Sequence, residues 1–570
     1  MKQVDARRLT GPNLQSQMPG AVAEVSFDEG DDPQALYVQW QAHLKSLCAH
    51  LPFDSEPTTA RFYENGAAWV LLGPVDRLYA VILACEYAVE MIVAPQEGRP
   101  SPNLQETITA VMAEYEEEQC PRLLEIEKEA LSRNVPFLWD DDFVSVGYGK
   151  NSITWTERDL PEIKNIPWEE LSSIPVVLVT GTNGKTTTSR LLARMVRCSG
   201  LVPGNSSTDG VFINEEMVEE GDWTGPGAAR TILRRKDVDV AVLEAARGGI
   251  LRRGLGVTEC NAALVTNVAN DHLGDYGILT VPQMAKAKGV VYSVVPSTGC
   301  RVFNMDDTHT SSLLKDHDSP ALLTSVKGRI DSLAQHHEQG GAILHFNGTH
   351  IIYEKADNQK EIIDVKLCPL SMNGAATYNI SNMLSAIGLA IAIDLPHHAI
   401  VEALKTFGTF WKDNPGRGQM TDVNGVKVLL DFGHNPHGAA AVLDMVNQLK
   451  QQKATASRFS VSVGQAGDRS DTDLKELSEC VAQAQPDRVY LRDMDGYLRG
   501  REELEVPQLM KRYLSEMGIP RDEILVCDSE LHCLTHALEW AEPGDVVVHL
   551  VHTARDAIKA HLQSLNAQVD

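Results

Sequence analysis

The stretch that decides the fold is Val176-Val-Leu-Val-Thr-Gly-Thr-Asn-Gly-Lys-Thr-Thr-Thr-Ser-Arg190, where an apolar run ends in a glycine-containing loop and helical spacing follows. It predicts a strand, a loop and a helix. Gly181 and Gly184 allow successive backbone N–H groups to face one anion. Lys185 can then reach outer phosphates, and Thr186 can offer its hydroxyl to Mg²⁺. The motif predicts a nucleoside triphosphate site, although its shortened glycine-to-lysine spacing leaves an ordinary strand-to-helix turn as the alternative.

The composition narrows the class of protein. The chain has 570 residues, of which 43% are hydrophobic and 23% charged, and this predicts a globular protein of several domains. No run approaches the roughly 20 apolar residues of a bilayer helix, and the N-terminus leads into no apolar segment, so we expect no membrane association and a cytoplasmic protein. Ten scattered cysteines without a Cys-x-x-Cys pair are expected to be reduced. A net charge of −27 argues against nonspecific nucleic-acid binding.

The order of apolar runs predicts an α/β protein of three domains. Residues 1–160 are expected to form a compact α+β domain without a catalytic motif. Residues 161–410 begin with a polar linker and continue as a P-loop domain, whose alternating strands and helices predict a mostly parallel sheet. Residues 411–570 repeat that alternation and are expected to form a Rossmann-like α/β domain without its own phosphate loop.

Polar residues follow several predicted strands of the P-loop domain, at the sheet edge where nucleotides bind. Glu244 ends one strand and could bind a hard cation, although a helix cap is the alternative. His272 follows another strand, where a single histidine could equally be structural. Lys286 and Lys288 lie on the next predicted helix, and either could be a solvated charge. The convergence of such positions on one edge favours function.

The order of these motifs resembles the Mur ligase superfamily from Thr180 to nearly the C-terminus. Within that superfamily, the motif sequences are most similar to those of the cyanophycin synthetase family, as in Glu244-Ala-Ala-Arg-Gly-Gly-Ile-Leu-Arg-Arg-Gly-Leu-Gly256 and Asp271-His-Leu-Gly274. The N-terminal segments Leu9-Thr-Gly-Pro-Asn13 and Val146-Gly-Tyr-Gly-Lys150 resemble that family's first domain. One departure stands out. Only about thirty residues separate Lys150 from Gly181, too few for the ATP-grasp domain that the family has there.

The resemblance implies roles for individual residues. It implies ATP and Mg²⁺ as cofactors, with Lys288, ahead of Lys286, as a carbamylated lysine that helps to hold a metal. Asn379 and Asn382 match the adenine side, and Arg417 and Asp431 match residues that close over the nucleotide. The full expected set is Lys185, Glu244, His272 and Lys288 for catalysis; Gly181, Thr182, Asn183, Gly184, Lys185, Thr186, Thr187, Asn379, Asn382, Arg417 and Asp431 for ATP; and Thr186, Glu244, His272 and Lys288 for metal.

The resemblance further implies an ATP-dependent carboxylate–amine ligase that forms ADP and phosphate. Without the ATP-grasp half, the expected step joins an amino-acid amine, of basic character, to an aspartyl side-chain carboxylate. Its partners would be a small-molecule or peptide carboxylate acceptor and an amino acid, and we expect a homo-oligomer. Two alternatives stay open. The chain could be a noncatalytic ATP-binding partner of a separate ATP-grasp protein, or another Mur-type ligase that acts on peptidoglycan or folate.

Overall fold

A computed structural model describes residues 1–316, 319–452, 458–565 and 567. The chain divides into two compact units. The first comprises Met1–Leu323 and Gly388–Pro396, and the second comprises Thr324–Ile387 and His397–Asp570. Each unit has buried apolar clusters of its own.

The first unit begins with a four-stranded antiparallel sheet in the order β1-β2-β4-β3. Its strands are β1 (Lys2–Leu9), β2 (Gly20–Ser26), β3 (Thr58–Tyr63) and β4 (Gly66–Leu72). The accompanying helices are α1 (Pro33–Cys48), α2 (Leu78–Gln96), α3 (Leu104–Glu118) and α4 (Pro121–Ser132). The sequence analysis allowed either one long helix or a broken helix over residues 104–132, and the structure shows a broken one. Pro121 begins α4, a position where the missing N–H of proline costs no hydrogen bond.

We expected no apolar run as long as a bilayer helix, and this expectation was wrong. The segment Val75–Gln96 is long and apolar enough to cross a membrane by length and composition. Most of this apolar segment is nevertheless buried inside the first unit, where α2 packs with Trp40 and Trp69 in one core. Its hydrophobicity is therefore explained by burial on several sides.

A small antiparallel sheet links this region to the P-loop domain. Its strands are β5 (Phe137–Trp139), β6 (Phe143–Val146) and β7 (Ile153–Thr156). The polar stretch predicted to be a linker follows β7 and contains only short turns, yet Ile166 and Leu171 are buried against Ile126 and Val146. The linker thus packs on the domain before it.

The P-loop strand lies inside a mostly parallel sheet, as predicted. The order in the first unit is β11-β10-β9-β12-β8-β13-β14, and the strands from β9 through β14 in that order are parallel neighbours. The elements are β8 (Val176–Thr180), α5 (Lys185–Cys198), β9 (Pro203–Ser207), β10 (Gly210–Ile213), β11 (Glu216–Glu220), α6 (Pro226–Leu233), β12 (Val240–Glu244), α7 (Arg247–Arg252), β13 (Ala262–Val265), α8 (Val281–Ser293), β14 (Cys300–Asn304) and α9 (Thr308–Ser312), with β15 (Ala321–Ser325) at the unit boundary.

The second unit holds an antiparallel meander, β16-β17-β18, and a six-stranded sheet in the order β19-β20-β24-β21-β22-β23. In the larger sheet only β19 is antiparallel to its neighbour, which confirms the predicted α/β class. The elements are α10 (Asp331–Glu338), β16 (Ala342–Phe346), β17 (His350–Lys355), β18 (Asn358–Asp364), α11 (Thr377–Ala392), α12 (His397–Thr406), β19 (Gln419–Val423), β20 (Val426–Asp431), α13 (Pro436–Gln452), β21 (Phe459–Gln465), α14 (Asp471–Gln483), β22 (Arg488–Asp493), α15 (Glu505–Glu516), β23 (Ile524–Val526), α16 (Glu530–Trp540), β24 (Val546–Leu550) and α17 (Arg555–Ser564).

Candidate active site

The glycine loop joins β8 to α5 in a conformation that requires both glycines. Gly181 has φ +146° and Gly184 has φ +84°, a region that other residues rarely adopt. A Cβ atom at Gly181 would lie 1.8 Å from Thr266 Oγ1. Lys185 is the first residue of α5, so the loop leads into a helix N-terminus, where backbone N–H groups can bind an anion.

The loop is anchored by residues after β13 that sequence reasoning missed. Thr266 Oγ1 donates to Asn183 O at 2.6 Å, and Asn267 Nδ2 donates to the same oxygen at 2.9 Å. Asn267 also accepts from the loop, with its backbone oxygen 2.8 Å from Thr182 N and its side-chain oxygen 3.0 Å from Asn183 N. The only signal in the sequence was that both residues follow a strand predicted to end at this sheet edge.

Thr186, Lys185 and Glu244 meet where β8 and β12 run side by side. The Thr186 hydroxyl lies 3.0 Å from Glu244 Oε2, and Lys185 Nζ lies 3.9 Å from Glu244 Oε1 and 3.1 Å from Thr182 O. Glu244 pairs in register with Val179, just before the glycine loop, which explains how residues 58 apart in sequence come together. The structure thus brings together a lysine, a hydroxyl and a buried carboxylate.

His272 occupies an exposed loop position after β13. Its φ is +55°, its side chain is 48% exposed, and Nε2 lies 3.8 Å from Asp271 Oδ1. Its backbone oxygen accepts from Arg247 at 2.7 Å. Among the described residues no three histidine, cysteine or carboxylate side chains converge as a preformed metal site. The structure therefore places Glu244 at the end of β12 and His272 in the loop after β13, two strands that flank β8, without building a cage from such side chains.

The two candidate lysines of α8 differ sharply. Lys286 is exposed, whereas the Lys288 side chain is buried and Nζ donates to Gly181 O at 2.9 Å. Burial, and then the nearby charge of Lys185, lowers the pKa of Lys288 to about 7. A substantial part of this amine is consequently neutral near neutral pH, which is the nucleophilic form of a lysine.

In the second unit, the start of α11 lies against the end of β20. Tyr378 donates from its hydroxyl to Asp431 Oδ2 at 3.2 Å, and Gly433 N donates to Asp431 Oδ1 at 2.9 Å. Asn379 is buried, donates to Leu370 O and accepts from Asn382 Nδ2 at 3.2 Å. Burial raises the pKa of Asp431. Asn379, Asn382 and Asp431 thus belong to one polar cluster.

Arg417 reaches the same region of the second unit through an aromatic contact. Its guanidinium carbon lies 4.5 Å from the centre of the Phe432 ring, next to Asp431 in sequence, and its positive charge acts to lower the pKa of that aspartate against the effect of burial. Arg555 lies 5.4 Å from the same ring centre. The Phe432 ring therefore contacts two cations, and the sequence did not reveal these contacts.

The residues around the glycine loop of the first unit are suited to bind a nucleotide together with Mg²⁺. A lysine at a helix N-terminus suits phosphate, and the Thr186 hydroxyl with the Glu244 carboxylate supplies hard oxygen ligands. Mg²⁺ usually takes one or two carboxylates and completes its shell with water and substrate phosphates. The small protein ligand set is therefore suited to that ion.

The loop with Gly181 and Gly184 lies at the carboxyl end of a parallel strand and leads into a helix, which is the position where α/β proteins of the doubly wound class bind nucleotides. The chain belongs to the Mur ligase superfamily. Residues 179–390 match the Mur ligase middle domain, and residues 416–550 match the Mur ligase glutamate ligase domain.

The curated relatives include two kinds of ligase. Cyanophycin synthetase of Synechocystis sp. (strain ATCC 27184 / PCC 6803 / Kazusa) is 37% identical over 68% of this chain and 43% of that protein. The enzyme of the same name from Crocosphaera subtropica is 35% identical over 69% of this chain and 44% of that protein. UDP-N-acetylmuramoyl-L-alanyl-D-glutamate–2,6-diaminopimelate ligase of Clostridium botulinum is 26% identical over 66% of this chain and 72% of that protein. The chain thus spans less than half the length of the cyanophycin synthetases that it matches.

Solved structures support the fold. A bifunctional folylpolyglutamate synthase/dihydrofolate synthase, crystallised with Mn, AMPPNP and L-glutamate, superposes with a TM-score of 0.51 at 19% identity. The match covers 68% of this chain and 89% of that one. The corresponding enzyme of Yersinia pestis gives a TM-score of 0.50 at 19% identity, with the same coverage.

Proposed function

We propose that this protein is an ATP-dependent carboxylate–amine ligase that forms an amide, ADP and phosphate. The observation that carries the proposal is the cluster of Lys185, Thr186 and Glu244 at the glycine loop. Its family membership supports it, since the relatives described above are named as ligases and synthetases.

The chemistry assigns a task to each residue of the cluster. Bound MgATP supplies the phosphoryl group that converts an unreactive carboxylate into an acyl phosphate open to attack by an amine. Lys185 and the N–H groups of the glycine loop would hold the outer phosphates and stabilise their charge. The Thr186 hydroxyl and the Glu244 carboxylate would hold the cation, with His272 as a further candidate ligand.

Lys288 is the proposed carbamylated lysine. A carbamate forms when the nitrogen of a neutral amine adds to the carbon of carbon dioxide and releases a proton, and it gives the side chain an anionic oxygen ligand for a hard cation. The buried position of Lys288 beside Gly181 favours it over the exposed Lys286. In the second unit, Asn379 and Asn382 are proposed for the adenine, and Arg417 and Asp431 for the nucleotide, by resemblance to the family.

The substrates are proposed at a finer level from the likeness to cyanophycin synthetase. The acceptor would be an aspartyl side-chain carboxylate, and the amine would come from a basic amino acid. We also infer a cytoplasmic homo-oligomer with domains at 1–160, 161–410 and 411–570, acting without nucleic acid or membrane. A 26% identity to a diaminopimelate ligase keeps a cell-wall peptide acceptor as the second candidate.

Product analysis tests this proposal. The purified protein is incubated with ATP, Mg²⁺, pooled amino acids and either aspartyl peptides or cell-wall peptide precursors, and products are identified by mass spectrometry. A product equal in mass to acceptor plus amino acid minus water, formed together with ADP, is the expected result. ATP binding without turnover across the whole panel would favour a noncatalytic partner of a separate ATP-grasp protein.

A further inference from the structure

The loop that carries His272 has a conformation that its own sequence does not favour. Within residues 271–278, His272 and Tyr276 have φ values of +55° and +52°, although neither is glycine. Residues other than glycine rarely occupy this left-handed region, and they persist there when surrounding contacts hold them in place. Gly274 and Gly277 also have positive φ values, so the segment turns tightly twice. Contacts outside the loop must therefore stabilise this conformation.

Those contacts come from β3 of the N-terminal sheet. Arg61 donates from Nη1 to Gly277 O at 3.2 Å and from Nη2 to Tyr276 O. The Tyr63 ring packs on the same turn, and a Cβ atom at Gly277 would lie 2.3 Å from it. One guanidinium thus binds two successive carbonyl groups of a strained turn, and the neighbouring ring requires glycine there.

A second residue of the same sheet supports the loop from its side-chain face. The Arg7 guanidinium lies 4.7 Å from the centre of the Tyr276 ring. The buried Glu24 accepts from Arg7 at 2.9 Å and from the Tyr63 hydroxyl at 2.8 Å. This carboxylate therefore fixes two of the side chains that contact the loop, as expected for a buried charge that must be paired and hydrogen-bonded.

The N-terminal segment also contacts the end of α7, and the start of α7 contacts the loop. Arg7 donates to Leu251 O at 3.1 Å, and Thr10 N donates to Arg253 O at 2.7 Å. At the opposite end of α7, Arg247 donates to His272 O and forms an ion pair with Asp275 at 2.9 Å. The N-terminal sheet thus acts on both ends of residues 271–278, directly at Tyr276 and through α7 at His272.

We propose that the N-terminal sheet positions the loop of residues 271–278 and that Arg61 is its principal positioning residue. The sheet lies outside the two regions matched by the family models, so this assigns a task to a part of the chain that they leave undescribed. Only the consequence for the reaction, through His272, rests on the proposed function. The positioning itself is independent of any substrate.

Hydrogen–deuterium exchange of the full chain without ligand tests the proposal. Arg61→Ala should accelerate exchange at least about tenfold in peptides that cover residues 270–279, because two carbonyl contacts are lost from a strained turn. The helix 185–198 should exchange as in the wild type. The matched control is Arg122→Ala, which removes an arginine of the same region whose partner is an exposed glutamate, and it should leave the loop unchanged.

Chemical rescue separates positioning from general structural support. Ethylguanidinium should restore slow exchange to Arg61→Ala, and Arg61→Lys should restore it only in part, because an ammonium lacks the planar fork that binds two carbonyls. Unchanged exchange at residues 270–279 would overturn the proposal, and so would an acceleration spread evenly over the first unit. A local effect in a protein that forms no amide would support the positioning and refute only the proposed function.

Discussion

At the scale of single residues, the phosphate loop concentrates charge in a small space. Lys185 lies within 3.9 Å of the Glu244 carboxylate, which also receives the Thr186 hydroxyl. A partly exposed lysine beside a buried carboxylate can exchange that partner for phosphate at little cost, because both are anionic oxygen ligands. The arrangement therefore leads to predictions about charge rather than about core volume.

Lys185→Ala should reduce ATP turnover by about a hundredfold or more, because one cation that faces developing phosphate charge is lost. The melting temperature should change little, since the side chain is not part of an apolar core. Phosphate release and thermal unfolding measure the two effects. Turnover at the wild-type rate would refute the phosphate-loop assignment.

Lys288→Ala should lose turnover, and short-chain carboxylic acids such as acetate should restore part of it if a carbamate normally binds the metal. The control is Lys286→Ala, which removes an exposed lysine of the same helix and should remain active. Phosphate release with and without acetate provides the measurement. An equally inactive Lys286→Ala protein, or no response to any acid tested, would contradict the choice of Lys288.

At the scale of elements, a buried ion pair lies near the carboxyl ends of β22 and β24 in the second unit. Arg492 and Glu530 lie 3.0 Å apart, and their side chains are 0% and 2% exposed. Glu530 also accepts from His552 N at 2.9 Å and from Thr553 N at 3.1 Å. His552 Nε2 in turn contacts Phe432 O at 3.2 Å, so this pair supports the segment that follows Asp431.

Glu530→Gln should destabilise the second unit by about 3–5 kcal/mol, because it keeps the shape of the side chain but leaves Arg492 buried without its counter-charge. Glu523→Gln is the control, since its partner Arg488 is partly exposed and such pairs contribute about 1 kcal/mol or less. Hydrogen exchange of the β22 and β24 amides in increasing urea measures both. Equal effects would show that burial of the pair is unimportant.

Two buried histidines at this sheet edge predict how stability depends on pH. Burial, and then the charge of Arg492, holds the pKa values of His549 and His552 well below the usual range. The unfolded chain therefore binds more protons below about pH 6.5, and the folded state should lose up to about 1.4 kcal/mol per pH unit for each histidine as the pH falls. Above that pH the contribution is fully present.

The difference between wild type and His549→Leu isolates one of these contributions. The variant should lose less stability between pH 7 and pH 5 than the wild type does, when both are followed by hydrogen exchange of β24 amides. Other titrating groups of the second unit, such as Asp431, are common to the two proteins and cancel. Parallel pH profiles would contradict the assignment of the pH effect to His549.

The sequence predicted what depends on local pattern. Alternating apolar runs located the parallel strands, and the glycine loop with its lysine located the turn that joins β8 to α5. It could not predict Thr266 and Asn267 as anchors of that loop, because their partners lie more than 80 residues away and carry no complementary motif. Arg61 is farther still from its partner Tyr276, which lies 215 positions later in the sequence. Pro121, by contrast, was a local signal for the helix break.

At the scale of the whole molecule, the chain joins two Mur ligase regions to an N-terminal region that the family models do not match. Between Lys150 and Gly181 the structure holds the two short strands β7 and β8 and several turns, which leaves no room for a further folded domain there. The function proposed for this chain is to activate one carboxylate and couple it to one amine.

Oxygen-isotope transfer measures that reaction most directly. Aspartyl peptides labelled with ¹⁸O in their side-chain carboxylates are mixed with the protein, MgATP and arginine or lysine, and the released phosphate is analysed by mass spectrometry. Activation through an acyl phosphate predicts one ¹⁸O atom per phosphate, in step with ADP and amide formation. Phosphate without the label, released while no amide forms from any labelled peptide, would contradict ligation of an aspartyl carboxylate by this protein.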